Sequence, residues 1–363
     1  MSTHEVLVVK VENIRNHPNA DSLEFIDVYA YQCIVRKGLY KLGDLIAFIQ
    51  PDTLVPLARP EFSFLDKGKG REFERIALHR FRGERSYGLI VPAPEGSKEG
   101  DNVMEQLGCQ HYEPPQHGAG FGKTGFLSGQ QEKGPDIPAP HYDLENYKKF
   151  HKLFAVGEPV IYTDKIHGTS ARYVFHGGRM YAGSRTTWKK PPGTVETITY
   201  TVRATGEEVT KDISSGDCCW WLALEQNPWI KEWCEYHPDV VLYGECYGGQ
   251  VQGAYFKYGK EEGQYGFACF DILDHGKWVN NADIIDNPHY SYGLGETVKV
   301  VYRGPHDPEL LKKLAEESDE QLYPGQKIRE GIVVKPEVDR YDLREGRVAL
   351  KYVSDVYLEA KWG

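Results

Sequence analysis

The chain has 363 residues, of which 40% are apolar, and its 53 acidic and 43 basic residues give a net charge of −10 at neutral pH. This length predicts about two domains, and the apolar content is enough for packed cores. Because proteins that bind nucleic acid electrostatically are often basic, this net negative charge argues weakly against a nucleic-acid partner. No apolar run reaches the ~18 residues of a membrane span, so no membrane partner is expected.

The cysteines and the N-terminus both predict an intracellular protein, cytoplasmic or nuclear. Seven cysteines, an odd number without Cys-x-x-Cys spacing, are typical of reduced thiols. The first residues, Met1 to Glu5, lack the basic and then apolar form of a secretory signal.

Residues 5–112 predict a series of short strands separated by turn residues. The strand segments are rich in β-branched and aromatic residues: 6–11, 23–28, 33–35, 45–49 and 87–92. Several short strands in about 110 residues favour a small OB-like barrel. Such barrels commonly bind oligonucleotides on one face.

A basic cluster lies inside this region, at residues 67–85. It has seven basic and three acidic residues, a local balance of +4, and includes Arg80, Arg82 and Arg85. Two interpretations stay open at this point: a solvated charged surface, or a patch that follows RNA phosphates.

Residues 113–141 predict a linker, because they hold six glycines and five prolines. Within it, Gly122-Lys123-Thr124 imitates a phosphate-binding loop. That pattern requires a glycine where this chain has His117, so we exclude it.

Three helices are predicted after the linker. The first runs from Asp143, as N-cap, to Phe154; the others span 220–236 and 308–318. The aromatic residues of the second helix are expected in the core.

An ordered set of short motifs carries the chemistry. Lys165 opens the sequence Lys-Ile-His-Gly-Thr-Ser directly after an apolar run. Further along come the segments 242–245, 267–271, 330–335 and 349–351. This order predicts a covalent nucleotidyltransferase, in which the lysine nitrogen attacks a nucleotide α-phosphate. A free lysine has a pKa near 10.4, so we expect desolvation and the positive charge of Lys335, Lys351 and a divalent cation to depress the pKa of Lys165.

With these motifs, residues 160–361 resemble the nucleotidyltransferase domain of ATP-dependent RNA ligases. Residues 1–112 resemble the N-terminal OB domain of the Deinococcus/Naegleria-type members. The resemblance implies an α+β protein, with an OB-like β-barrel followed by an ATP-grasp-like nucleotidyltransferase domain built on antiparallel sheets. The implied boundaries are 1–112, a linker at 113–141, and 142–363.

The resemblance also implies roles for individual residues. Lys165 is the nucleophile, which forms lysyl-AMP, and Glu330 orders Mg²⁺ or Mn²⁺, partly through water, with a weaker contribution from His167. The remaining implied nucleotide contacts are Asp164, Ile166, His167, Gly168, Arg185, Glu245, Phe270, Lys335 and Lys351. ATP is the implied AMP donor, and the implied partners are RNA ends in nicked or duplex RNA, bound by a monomer, with Arg80, Arg82 and Arg85 as RNA contacts.

Two positions depart from the pattern of some relatives. Ser170 stands where an asparagine is common, and Lys351 is a single lysine rather than one of a Lys-x-Lys pair. The alternatives are a DNA ligase, a GTP-dependent capping-type enzyme, or a non-catalytic RNA-binding protein. The first two are less favoured, because their OB domain follows the fifth motif and this sequence ends at Gly363.

Overall fold

The computed structural model describes residues 4–68, 70–112, 129–201, 208–248, 251, 258–318, 322–323, 326 and 328–362. The chain divides into two compact units that interleave in sequence. The N-terminal unit comprises 2–116, 145–152 and 355–363, and the second unit comprises 117–144 and 153–354. The boundaries at 112 and 142 stay a prediction. Composition along the sequence can indicate a linker, but it cannot show that later segments of the chain belong to the same unit as the first residues. The Gly122-Lys123-Thr124 segment lies outside the described residues.

The N-terminal unit consists of short antiparallel strands whose buried positions follow the alternation of the sequence. In the first strand, for example, Val6 and Val8 are fully buried while Leu7 and Val9 are less so. Its strands are Val6–Lys10, Arg15–Asn16, Leu23–Val28, Tyr31–Arg36, Leu45–Ile49, Thr53–Pro56, Phe73–Arg75, Leu78–Phe81, Glu84–Tyr87, Leu89–Pro92, Gln110–His111 and Glu145–Asn146. A 3-10 turn, Ser63–Leu65, completes the set.

One predicted strand of this unit is divided by a glycine. The segment 87–92 is split at Gly88 into the end of Glu84–Tyr87 and Leu89–Pro92. Gly88 has φ +78°, and a Cβ atom there would lie 2.4 Å from the carbonyl oxygen of Ile49. Only glycine fits this turn and this close approach.

The last helix, Asp355–Trp362, belongs to the N-terminal unit and is anchored by a buried carboxylate. Asp355 is 1% exposed. It lies 2.6 Å from Lys148 Nζ and 3.2 Å from Arg85, and it accepts a hydrogen bond from the Tyr87 hydroxyl. One buried carboxylate therefore neutralises cations from two separate parts of the chain.

The second unit contains two main antiparallel sheets. The larger, seven-stranded sheet has the order Gln131–Glu132, Trp188–Lys189, Arg179–Ser184, Thr169–His176, Val240–Gly248, Tyr265–Asp274, Lys277–Trp278. The smaller sheet has, within this unit, the order Leu350–Val353, Gly331–Pro336, Pro159–Asp164, Val300–Pro305. Two hairpins, Val195–Thr201 with Glu208–Ser214 and Tyr341–Asp342 with Gly346–Arg347, lie apart from these sheets.

Helices pack beside the larger sheet, and one prediction needs correction. The segment 220–236 is two helices, Cys219–Gln226 and Trp229–Tyr236, rather than one. The break falls at Asn227 (φ −126°, ψ 75°), because the proline after it disfavours a helical conformation there. The expectation that their aromatics enter the core is confirmed for Trp220 and Trp233, which are 3% and 2% exposed.

The first predicted helix is also shorter than expected. Only Tyr147–Phe150 is α-helical, followed by a 3-10 turn at His151–Leu153. The N-cap is Asn146 and not Asp143; the Asn146 side chain accepts a hydrogen bond from the amide of Lys148.

The predicted helix at 308–318 is confirmed as Pro308–Glu316, capped by Asp307. The remaining helices are Asn281–Asp286 and Pro288–Ser291. Across the described residues, no helix is both long and apolar enough to cross a membrane.

Asp355→Asn should destabilise the N-terminal unit by about 3–5 kcal/mol, because it removes the carboxylate charge that compensates the buried Lys148 ammonium. The expected result is faster hydrogen exchange in the strands Leu23–Val28 and Tyr31–Arg36. Val356→Ala, on the exposed side of the same helix, is the matched control and should change stability by no more than about 0.5 kcal/mol. Equal protection in both variants would contradict the assigned anchor role.

Candidate active site

Lys165 lies at the end of an interior strand of the smaller sheet. The apolar residues that precede it form the strand Pro159–Asp164, which pairs with Gly331–Pro336 on one side and Val300–Pro305 on the other. The amide of Lys165 donates a hydrogen bond of 3.0 Å to the carbonyl of Gly331, and the amide of Asp164 donates one of 2.8 Å to Lys299. The backbone on both sides of the strand end is therefore fixed.

The Lys165 side chain meets a second predicted residue directly. Its Nζ lies 2.8 Å from Oε1 of Glu330, which is 8% exposed. The other oxygen, Oε2, is buried without a hydrogen-bond partner among the described residues, and His167 Nδ1 lies 3.8 Å from it. Lys165, His167 and Glu330 thus come together as the motif order predicted.

The charge state of Lys165 differs from the expectation. Burial acts to lower the pKa of Lys165, but the carboxylates of Glu330, Glu245 and Asp164 outweigh it, so the pKa is raised. The expected depression of the Lys165 pKa is wrong for this arrangement, although burial acts in the expected direction. The acidic neighbours outweigh burial and favour the charged form of the amine.

Glu245 is brought to the site by strand pairing. Thr169 and Ser170 pair with Cys246 and Glu245, so the residues after Lys165 run beside the strand Val240–Gly248. A Cβ atom on Gly168 would lie 2.3 Å from the carbonyl oxygen of Cys246 and 2.9 Å from Cγ of Glu245. Close approach of two strands, rather than an unusual dihedral, therefore requires this glycine.

The carboxyl group of Glu245 is affected by its burial. Burial raises its pKa to about 8, although the Lys165 ammonium acts in the opposite direction. The nearby Glu330 carboxylate adds to the increase. A neutral Glu245 can donate a hydrogen bond as well as accept one.

Lys335 lies in a buried ionic cluster, which we call the Asp271 network (Tyr142, Asp271, Lys335 and Arg347). Lys335 Nζ lies 2.5 Å from Asp271 Oδ2 and donates a 2.6 Å hydrogen bond to the carbonyl of Phe270. Asp271 also accepts two hydrogen bonds from Arg347, at 2.8 and 2.9 Å, and one from Tyr142, at 2.6 Å. Burial alone would raise the pKa of Asp271, but Lys335 and Arg347 lower it to about 2.

The Phe270 ring, predicted to stack on the base, is partly exposed. It packs against Tyr142 with ring centroids 4.7 Å apart. Tyr142 and Arg347 were not identified from the sequence, because Arg347 lies in a hairpin and Tyr142 in a segment far from Asp271 along the chain.

The other predicted nucleotide residues differ in burial and in their partners. Asp164 is buried, with Arg329 Nε 3.4 Å from its Oδ1, and Ile166 is 2% exposed. Arg185 is on the surface, 54% exposed at its side chain, in a 3.1 Å ion pair with Asp143. Lys351 is half-buried and pairs in register with Val333. Arg329 was not identified from the sequence.

The predicted RNA contacts lie in the N-terminal unit. Arg80 and Arg85 both bind Glu359, with shortest contacts of 2.5 and 2.9 Å, and they lower the pKa of Glu359 to about 2. Arg82, at the turn of the hairpin, is exposed and forms no ion pair with any residue that the structure describes.

The site fits a divalent cation only in part. Among the described residues, no group of three or more His, Cys, Asp or Glu has the geometry of a complete metal site. The unpartnered buried oxygen of Glu330 is nevertheless a suitable acceptor for one ligand water or one bond to a hard cation. Mg²⁺ usually needs no more, since it keeps several waters and binds substrate phosphates.

Comparisons with known proteins agree with this geometry. A sequence model of the RNA ligase family matches residues 158–353, and an OB-fold domain model matches residues 6–93. No curated protein matches the chain.

Solved structures of a Naegleria gruberi RNA ligase have the same fold. The form with PPi is 21% identical, with a TM-score of 0.74 over 99% of this chain and 98% of that one. A variant with ATP and Mn is 21% identical, with a TM-score of 0.74 over 98% of each chain. A variant with AMP and Mn is 21% identical, with a TM-score of 0.73 over 99% of each.

The predicted α+β class, with an N-terminal OB fold and antiparallel sheets, is thereby confirmed. The family match covers more than half of the chain and includes Lys165, Glu245 and Glu330. This chain belongs to the RNA ligase family.

Proposed function

We propose that this RNA ligase joins RNA 3′-hydroxyl and 5′-phosphate ends with ATP, through lysyl-AMP on Lys165. The observation that carries the proposal is the 2.8 Å contact between Lys165 Nζ and Glu330 at the end of an interior strand. It places one amine among carboxylates at the predicted nucleophile position. The Naegleria structures with ATP and Mn and with AMP and Mn support the choice of nucleotide and metal.

Three transfers make up the reaction. The neutral amine of Lys165 attacks the α-phosphorus of ATP, so a P–N bond forms and pyrophosphate leaves. A 5′-phosphate oxygen of RNA then attacks the same phosphorus, which breaks the P–N bond and produces a 5′–5′ pyrophosphate link. Finally the 3′-hydroxyl oxygen attacks the RNA phosphate, a phosphodiester forms and AMP leaves.

Proton removal from Lys165 is the step that the carboxylates control. Glu330 holds the ammonium form in place until the amine must attack. A bound Mg²⁺ or Mn²⁺ would supply positive charge that favours the neutral amine and balances the phosphate charge. Glu330 would hold it through Oε2, partly through water, and His167 would contribute weakly.

The remaining roles concern nucleotide position. Glu245 would bind ribose hydroxyls, and Phe270 would stack on adenine. Asp164 and Ile166 would border the base, and Lys351 would contact phosphate.

Gly168 would keep the strands close enough for Glu245 to reach the nucleotide. Arg185 would contact ribose or the RNA end, after leaving its exposed ion pair with Asp143.

RNA binding outside the nucleotide site is proposed for the hairpin that holds Arg80, Arg82 and Arg85. Arg82 is the strongest of the three, since Glu359 already binds the other two. We propose nicked or duplex RNA as substrate and a monomer as the working form.

All seven cysteines are free and buried, which supports an intracellular location, cytoplasmic or nuclear.

Incubation with α-labelled ATP and Mg²⁺ or Mn²⁺ should label wild-type protein covalently, and Lys165→Ala should abolish the label because the attacking amine is gone. Lys231→Ala, which removes a surface lysine, is the matched control and should label normally. An unlabelled wild-type protein would reject the nucleophile assignment. Stronger labelling by GTP than by ATP would favour a capping-type enzyme.

Arg82→Ala should weaken sealing of a nicked RNA duplex by about threefold to tenfold while lysine adenylylation stays unchanged, because the removed charge meets RNA phosphate and not ATP. The loss should shrink as salt concentration rises. Equal loss of both activities would refute this separation of roles.

The Glu245→Gln variant should gain thermal stability relative to wild type as pH rises from about 5 to 9. A folded-state pKa of about 8 lies above the ordinary glutamate value, so the folded state binds the extra proton and its stability falls as pH rises through that range. Glutamine removes this dependence. Melting temperatures that differ by a constant amount at every pH would contradict the raised pKa.

A further inference from the structure

The strand that carries Phe270 contains an irregularity at that residue. Tyr243 pairs with Asp271 and the next residue, Gly244, pairs with Cys269, so Phe270 is the extra residue of a β-bulge. A Cβ atom on Gly244 would lie 2.4 Å from the carbonyl oxygen of Ala268, which shows how closely the strands approach beside it. A bulge leaves one residue outside the ladder and changes the direction of its side chain.

The carbonyl group of the bulged residue needs a partner, because an unpaired buried carbonyl is costly. Lys335 provides it: its Nζ donates a 2.6 Å hydrogen bond to the Phe270 oxygen. Lys335 reaches this point from the neighbouring sheet, where it lies in the strand Gly331–Pro336.

The charge of Lys335 is balanced by carboxylates within the same cluster. Its Nζ lies 2.5 Å from Asp271, and Arg347, which also binds Asp271, forms a 2.7 Å pair with Asp339. Two cations and two carboxylates therefore cancel within the cluster. Lys335 is 3% exposed, so contact with a nucleotide phosphate would require it to leave the buried Asp271 carboxylate and the Phe270 carbonyl.

We propose that Lys335 is a positioning residue for the Phe270 ring and not a phosphate clamp. By holding the bulge carbonyl, and being held by Asp271, it directs the ring towards the base of the nucleotide. This replaces the role that the motif resemblance implied for Lys335. The proposal rests on the proposed stacking of Phe270 on adenine.

A double-mutant cycle separates the two roles. Affinity is measured for α,β-methylene-ATP, which carries a base, and for inorganic tripolyphosphate, which does not. Lys335→Met should weaken binding of the ATP analogue by roughly fivefold to tenfold, within the range of one base–aromatic stack. In a Phe270→Ala background the same change should cost no further affinity. Tripolyphosphate binding should stay the same.

Lys189→Met is the matched control, because Lys189 is a buried lysine of the same unit that packs on Trp220. It should leave both affinities unchanged. Additive losses in the cycle, or an equal loss for tripolyphosphate, would overturn the proposal in favour of a phosphate clamp.

Asp271→Asn tests the same idea from the opposite direction, and also serves if Lys335→Met does not fold. Asp271→Asn keeps the positive charge of Lys335 but removes the carboxylate that binds it. If Lys335 were a phosphate clamp, this variant would bind both ligands as tightly as wild type or more tightly. A positioning role predicts weaker binding of the ATP analogue alone. Covalent labelling of wild-type Lys165 is measured first; a labelled enzyme with additive losses would reject this inference while the ligase function stands.

Discussion

The ion pair between Lys165 and Glu330 is the interaction around which the second unit is arranged. The two residues lie at the ends of neighbouring antiparallel strands, and the hydrogen bond from the Lys165 amide to Gly331 joins these strand ends. The pair keeps the amine charged and in place, while burial opposes that charge. Positive charge added near the amine would act with burial to favour its neutral, nucleophilic form.

Around this pair, buried charges are distributed so that each is compensated locally. The Asp271 network binds its lysine and arginine to carboxylates, which leaves the amine of Lys165 to interact with Glu330 and Glu245. Compensation matters because an unpaired buried charge costs several kcal/mol. Because the charge of Lys335 is compensated in this way, we expect it to add little positive potential to the nucleotide site and to act mainly by holding its neighbours in position.

The N-terminal unit follows the same rule with different consequences. Asp355 and Glu359, from the last helix, bind cations of this unit, so part of its basic cluster is neutralised within the protein. A count of charged residues along the sequence therefore overstates the positive charge that this cluster leaves uncompensated. Arg82, at the turn between two strands, is exposed and keeps its charge outside these ion pairs.

Local patterns in the sequence determined the alternating strands, the capped helix Pro308–Glu316 and the order of motifs that identified Lys165, Glu245 and Glu330. These features follow from periodicity and from residues close in the chain. The partners of Lys335, Arg80 and Arg85 were decided only by the tertiary structure. Asp271 is 64 residues from Lys335, and Glu359 is 279 residues from Arg80. The bulge at Phe270 likewise depends on pairing with another strand, because an ion pair or a strand register is fixed by which surfaces the fold brings together.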